Sequence, residues 1–248
     1  MKIQPFTIDT EDKVNIKAEL FGRENKTALV INPAIGVKRK LYNGFAMFMA
    51  EQGISVVLYN YRGMEDGLGH LPQDVKLNAE TWGRMDQNAV VGWVKSEPKP
   101  DQVFVLGHSI GGQLLGFAEN IGVVDGLIHA ASQKGDYRLW PFTNRMKLML
   151  LWHVLIPWMS RGKFFNAKKI GLGSYPWPEA AIDGLLQEFD LKKVKTNKTN
   201  TDNQPIDKRI IDPKSIGLKH IGHFGFFKPE TKTLWQNTAT WIHQLTQH

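Results

Sequence analysis

The chain contains no cysteine among its 248 residues. This absence excludes disulfides, thiolate metal sites and cysteine nucleophiles, and it suits a reducing compartment. Long hydrophobic runs are also missing: the longest, at 148–159, is far shorter than the ~20 residues of a membrane-spanning helix, and Pro157 interrupts it. The N-terminal segment lacks the apolar stretch of a signal peptide. We therefore expect a cytoplasmic protein with no transmembrane segment.

Acidic residues are outnumbered, with 24 Asp and Glu against 31 Lys and Arg, which gives a net charge of +7. The basic residues are dispersed, and their small clusters at 38–40, 168–169 and 192–195 do not alternate with aromatics as a nucleic-acid surface would. A solvated basic surface is the main interpretation, and weak contact with anionic membranes or acidic ligands is the alternative. The spacing of the histidines is not typical of a metal site. From the charge distribution and the histidine spacing together, we expect no nucleic-acid partner, no metal and no cofactor.

The residues that are present alternate between strand and helix patterns. Two N-terminal strands predict a hairpin, and four further apolar runs predict strands separated by helices of ordinary length. Such alternation indicates βαβ units and a mostly parallel sheet with helices on both faces. The predicted strands lie at 6–10, 14–22, 27–32, 54–61, 102–107 and 126–132, and the predicted helices at 41–53, 78–95, 110–120 and from Pro229 onwards.

The alternation stops after residue 136, where a segment rich in aromatic and basic residues follows. We interpret 137–190 as a helical cap over the ends of the strands, with 1–136 and 191–248 forming the core domain. Additional core is the alternative for any single residue of this segment. The apolar cap favours a substrate with a hydrophobic acyl or alkyl group; its large side chains include Trp140, Phe142, Leu148, Leu150, Trp152 and Trp158.

The stretch "GHSIG" at 107–111 lies between the fifth predicted strand and the helix pattern that follows it. In this context G-x-S-x-G predicts a sharp turn that lifts the serine hydroxyl above the sheet. The flanking glycines allow close backbone approach, and the helix N-terminus faces the position where an oxyanion would form. A glycine-rich turn without catalytic function is the alternative. The context favours Ser109 as a nucleophile.

Five segments together resemble the α/β-hydrolase superfamily, and more narrowly the bacterial predicted serine hydrolases of the serine aminopeptidase-like group. They are "INPAIGV", "YNYRGMEDG", "GHSIGGQLLG", "AASQKGDYRLW" and "LKHIGHFGFF". The resemblance covers roughly residues 1–178 and 208–248. It implies an α/β-hydrolase fold with Ser109 as the nucleophile and His223 as the general base. His220 is the weaker candidate for the base.

The same resemblance implies an oxyanion hole made of two backbone amides. One belongs to Ile110, directly after the nucleophile, and the other to the turn after the third strand, where Ala34 is the first candidate and Ile35 the alternative. Two preorganised amides at this point stabilise a tetrahedral intermediate by several kcal/mol. Arg62 and Asp66 follow the fourth strand, where loop structure is the favoured interpretation and a substrate contact the alternative.

Four aspartates are candidates for the acid of the catalytic triad. In similar proteins it follows a seventh strand, but the stretch 190–208 is polar and too short for a strand and its crossover helix. The seventh strand therefore is predicted to be missing, and the shortened sheet could expose an edge that favours dimers or aggregation. Asp202 is the first candidate for the acid, Asp136 is its rival, and Asp207 and Asp190 follow. A surface carboxylate is the alternative for each.

These residues predict a serine hydrolase that cleaves ester-like bonds of a small, hydrophobic acyl substrate through an acyl-enzyme. The main alternative is a catalytically impaired hydrolase-fold protein that serves as a binding or regulatory module. Peptide or thioester cleavage and acyl transfer remain open, because one fold supports many chemistries.

Overall fold

The computed structural model describes residues 3–22, 25–65, 75–132, 142–150 and 211–246, with short pieces at 154–155, 158, 164–165 and 177–178. Within them, six strands form one sheet in the order β1-β2-β4-β3-β5-β6. β1 and β2 form an antiparallel hairpin and β2 is antiparallel to β4, whereas β3, β4, β5 and β6 run parallel. This confirms the predicted α/β class. The strands are β1 Ile3–Asp9, β2 Asn15–Phe21, β3 Thr27–Asn32, β4 Ile54–Tyr59, β5 Gln102–His108 and β6 Gly126–Ala130.

The central strands are apolar on both faces because helices cover both sides of the sheet. Successive residues of a strand point to opposite faces. In β3, Ala28 and Val30 therefore join one core cluster, while Leu29 and Ile31 join the other. All six residues of β3 are buried. This two-sided burial explains the continuous apolar runs that predicted the parallel strands.

Helices divide between the two faces. Trp82 and Val94 lie in the first cluster, and Phe45 and Ile242 lie in the second, where both are fully buried. The helices are α1 Asn43–Glu51, α2 Ala79–Thr81, α3 Asn88–Ser96, α4 Ile110–Gln113, α5 Phe142–Leu150 and α6 Lys232–Leu245. The sheet and its two helical layers place the carboxyl ends of β3, β4, β5 and β6 along one edge, where open α/β sheets bind ligands.

Two helices differ from the sequence prediction. The helix expected over 110–120 is short, because α4 ends at Gln113 and a 3₁₀ turn, Leu114–Gly116, follows. The helix expected over 78–95 contains a π-helical segment, Trp82–Gln87, between α2 and α3. The two irregular segments pack directly together: a Cβ on Gly83 would lie 2.6 Å from the Cβ of Phe117. Helix periodicity carries no information about this long-range contact.

The region predicted as a cap is described only in part, as α5, two short helical pieces and an antiparallel pair, β7 Phe164–Phe165 and β8 Trp177–Pro178. Some of its large apolar side chains are exposed, with Phe142 at 74%, Leu150 at 55% and Trp158 at 67%. The domain boundaries stay predictions, and the predicted loss of a seventh strand falls at 190–208, outside the described residues. Within the described ranges, no helix has the length and apolar character to cross a bilayer.

Candidate active site

Ser109 lies at the sharp turn between β5 and α4, with backbone angles of φ 56° and ψ −121°. Residues with a Cβ rarely adopt this conformation, which is strained for them. Two hydrogen bonds hold the turn: the Ser109 N–H donates to the Ala130 carbonyl at 3.1 Å, and the Gly112 N–H donates to the Ser109 carbonyl at 3.1 Å. The serine is half-buried at the carboxyl end of the sheet. This is the strand, strained turn and helix that a nucleophile elbow requires.

Two glycines allow the strand, the turn and the helix to approach one another. A Cβ on Gly107 would lie 2.3 Å from the Cα of Gly112, and a Cβ on Gly111 would lie 2.3 Å from the backbone oxygen of Asn32. No ordinary side chain fits at such distances. The second contact joins the elbow to the end of β3. The Asn32 side chain strengthens it by donating to the Gly111 carbonyl at 3.2 Å.

The two predicted sources of oxyanion donors therefore lie beside each other. The N–H of Ile110 is at the first position of α4, where no intrahelical acceptor exists. After β3, the N–H of Ala34 donates to the buried hydroxyl of Tyr42 at 2.8 Å. Among the described residues, the next amide, that of Ile35, has no acceptor. The predicted donor Ala34 is thus already engaged inside the protein, and the alternative, Ile35, carries the available N–H.

His223 lies in the loop before α6, next to Gly222, whose φ of 70° turns the chain. The His223 carbonyl is 2.9 Å from Nε2 of His108, the residue immediately before Ser109, and the two imidazole rings have centroids 5.1 Å apart. The fold thus brings the predicted base loop to the elbow. Partial burial lowers the pKa of His223, which favours the neutral imidazole that a general base needs. His220 is exposed.

No acidic partner of His223 emerges from the described part of the chain. None of the carboxylates there forms an ion pair with its ring, and burial is the one cause of its lowered pKa. The four candidate acids, Asp136, Asp190, Asp202 and Asp207, all lie outside the described residues. Their roles, like the hydrogen bond between Ser109 and His223, stay predictions. Nor do the described residues include a cluster of three or more groups that could hold a metal ion.

Arg62 is buried and holds the loop after β4. Its Nε donates to the Asp86 carboxylate at 2.6 Å, its backbone N–H donates to the same carboxylate at 2.8 Å, and its guanidinium also pairs with Asp12. Burial raises the pKa of Asp86 to about 7 against the opposing charge of Arg62, while Arg62 lowers that of Asp12 to about 2. These contacts favour the structural interpretation of Arg62. Asp66 lies outside the described residues.

Sequence reasoning missed two residues of this region, Tyr42 and His108. The Tyr42 hydroxyl is 2.9 Å from Nδ1 of His108, and both side chains are buried. Burial lowers the pKa of His108 to about 4, so its ring is neutral near pH 7. His108 lies inside the G-x-S-x-G motif, and this position was the signal in the sequence that could have identified it. Its partners were not visible, because they come from segments more than sixty residues away.

Comparison with known proteins supports the fold alone. No profile of a known family and no protein of curated function matches the sequence. Among solved structures, a thermostable carboxyl esterase from Bacillus coagulans is similar over 77% of this chain and 73% of its own, with 15% identity and a TM-score of 0.53. An α/β-hydrolase from a Penicillium species is similar over 79% and 69%, with 17% identity and a TM-score of 0.50.

A third similar structure is an α/β serine hydrolase without lid from Xanthomonas campestris, with 19% identity and a TM-score of 0.45 over 58% of this chain. This chain covers 66% of that protein, slightly less than two thirds of its length. At 15% and 17% identity, the likeness to the Bacillus and Penicillium proteins shows the α/β-hydrolase fold and says nothing about activity or substrate.

Proposed function

We propose that the protein is a serine hydrolase that cleaves carboxylic esters through an acyl-enzyme. The observation that carries this proposal is the strained backbone of Ser109 at the carboxyl end of β5. Strain of this kind costs of order 1–3 kcal/mol and persists where the surrounding structure enforces it. Here it presents a hydroxyl directly before a helix N-terminus, as acyl transfer requires.

The reaction begins when the Ser109 oxygen attacks the ester carbonyl carbon and the hydroxyl proton passes to His223. The carbonyl oxygen becomes an oxyanion, which the N–H groups of Ile110 and Ile35 stabilise. Collapse of the tetrahedral intermediate breaks the ester C–O bond, and the alcohol leaves with the proton from His223. Water, deprotonated by His223, then releases the acid and restores the Ser109 hydroxyl. Ala34 supports the turn through Tyr42.

The substrate class follows from the apolar side chains of the region predicted as a cap. Apolar side chains of the cap region, including Phe142 and Trp158, are exposed and do not serve the core. Large exposed apolar groups of this kind are typical of surfaces that bind apolar partners. We therefore assign an ester with an apolar acyl or alkyl group. One of the similar solved structures is a carboxyl esterase, which agrees with ester chemistry on this fold.

A second candidate function is that of a binding module without turnover. The observation that favours it is the lack of any carboxylate contact at His223 in the described residues. Losing the acid of a triad can lower turnover by about ten-thousandfold where the wrong histidine tautomer results. Such a protein would keep the strained turn at Ser109 and bind its ligand without cleaving it.

A fluorophosphonate probe tests the proposal directly, because it modifies only an activated serine. We expect rapid modification of Ser109, identified by peptide mass spectrometry, and no modification in Ser109→Ala or His223→Ala. His220→Ala is the matched control and should react at the wild-type rate. A panel of p-nitrophenyl esters of increasing chain length then measures the preference for apolar acyl groups.

No modification of a demonstrably folded wild-type protein would overturn the hydrolase proposal and favour the binding module. Loss of reactivity in His220→Ala, with full reactivity in His223→Ala, would instead exchange the roles of the two histidines.

A further inference from the structure

His108 is the last residue of β5 and directly precedes the proposed nucleophile. Its side chain is fully buried among the aromatic rings of Tyr42, Phe224 and Phe227, with centroid separations of 5.8, 5.8 and 4.8 Å. Both ring nitrogens have partners: Nδ1 is 2.9 Å from the Tyr42 hydroxyl and Nε2 is 2.9 Å from the His223 carbonyl. A polar ring at the centre of an aromatic cluster is thus fully hydrogen-bonded.

The direction of each hydrogen bond follows from its partner. A carbonyl oxygen can only accept, so Nε2 of His108 must carry the hydrogen that binds His223. Since burial keeps the ring neutral near pH 7, Nδ1 is an acceptor and the Tyr42 O–H donates to it. The Tyr42 oxygen in turn accepts the N–H of Ala34. The chain runs from Ala34 through Tyr42 and His108 to the His223 carbonyl.

We propose that His108 is a positioning residue: its chain of hydrogen bonds ties the turn after β3 and the loop of His223 to the nucleophile. This proposal rests on the proposed function and deepens it. At one end, engagement of the Ala34 N–H fixes the peptide directly before that of Ile35, whose N–H has no acceptor among the described residues. At the other end, the bond to the carbonyl fixes the backbone from which the His223 ring extends.

Packing alone does not require this arrangement. An apolar side chain could fill the aromatic cluster without hydrogen-bond partners, whereas a buried imidazole is costly unless every polar atom is paired. Hydrogen-bond chains with every member paired make a buried region rigid. Rigid placement has kinetic weight, because a displacement of about 1 Å can lower a reaction rate by about 100-fold.

The first experiment reads the tautomer and needs no activity. Two-bond ¹H–¹⁵N spectra of the full chain labelled with ¹⁵N-histidine, with His108→Gln for assignment, should show His108 as the neutral Nε2–H tautomer at pH 7. The same signal should be present in Ser109→Ala. A protonated ring or the Nδ1–H tautomer would overturn the proposal whether or not the protein is a hydrolase.

The second experiment measures the rate of fluorophosphonate modification in Tyr42→Phe. This variant keeps the ring and removes both the donor to Nδ1 and the acceptor for Ala34. We expect a decrease of about 10- to 100-fold. The matched control is Tyr61→Phe, which removes another buried tyrosine hydroxyl that is not a member of this chain of hydrogen bonds and should react at the wild-type rate.

Substitutions of His108 separate positioning from packing. His108→Leu should lower the rate most. His108→Gln keeps a donor for the His223 carbonyl and His108→Asn keeps an acceptor for Tyr42, so both should retain intermediate rates. Equal rates for the three His108 variants and wild type, or a wild-type rate in Tyr42→Phe, would overturn the proposal. If wild type itself does not react, the hydrolase proposal fails, and the tautomer measurement still decides the hydrogen-bond chain.

Discussion

The backbone of Ser109 has a conformation that glycine adopts without strain and serine does not. We therefore expect Ser109→Gly to have a free energy of unfolding about 1 kcal/mol higher than Ser109→Ala, after the greater freedom of glycine in the unfolded chain is subtracted. Both variants lack the hydroxyl, so the comparison isolates the strain. Urea denaturation measures the difference. Equal stabilities would mean that the turn is not strained in solution.

The pH dependence of the reaction reports the partner of His223. Burial lowers its pKa below the ordinary 6.5, and a general base works in its neutral form. The rate of fluorophosphonate modification should therefore rise with pH through a midpoint below 6.5 and then stay constant. His108 titrates lower still, at about 4, and does not determine this midpoint.

A midpoint above 6.5 would contradict that expectation and reveal a carboxylate from outside the described residues. An anionic neighbour stabilises the imidazolium and raises the pKa of the histidine. The Asn variants of Asp136, Asp190, Asp202 and Asp207 would then identify the acid, because the correct one should return the midpoint to lower pH.

At the scale of the element, the elbow depends on contact between α4 and the end of β3. Gly111→Ala places a Cβ 2.3 Å from the backbone oxygen of Asn32, so one of the two segments must move. We expect lower stability, by about 1–3 kcal/mol as for other overpacked sites, together with loss of fluorophosphonate modification.

The matched control is Gly92→Ala in the middle of α3, where an added Cβ meets nothing within 4 Å. It should raise stability by about 0.5–1 kcal/mol, since alanine is the better helix former, and leave modification unchanged. Thermal unfolding of both variants checks the pair of expectations. A wild-type reaction rate in Gly111→Ala would show that the contact does not position the elbow.

The predicted elements and the observed ones differ where distant segments touch. Strand positions follow from local apolar runs, and the six strands appear where those runs predict them. The π segment Trp82–Gln87 and the early end of α4 were not predicted, and Gly83 of the π segment packs against Leu114 and Phe117, which follow α4. Periodicity within one helix carries no information about a partner in another.

At the scale of the whole molecule, the exposure of strand β6 at the end of the sheet determines whether the protein associates with itself. In the described residues β6 pairs with β5 alone, and Ala130 is its one buried residue. If the polar stretch at 190–208 supplies no strand, β6 is an exposed edge, which promotes pairing with another chain. We expect self-association that increases with protein concentration, measured by size-exclusion chromatography with light scattering. A monomer at every concentration would mean that another segment covers β6.

The sequence by itself determined the fold class, the strand positions and the sharp turn at Ser109, because apolar periodicity and glycine spacing are local properties of the chain. It also predicted His223 as the general base, through the resemblance of its flanking residues to those of α/β-hydrolases. Only the tertiary structure decided that the Ala34 amide is engaged by Tyr42 and that His108 bonds to His223. These hydrogen bonds join segments that are distant in the chain. The local sequence around a residue does not predict which distant residue it will contact.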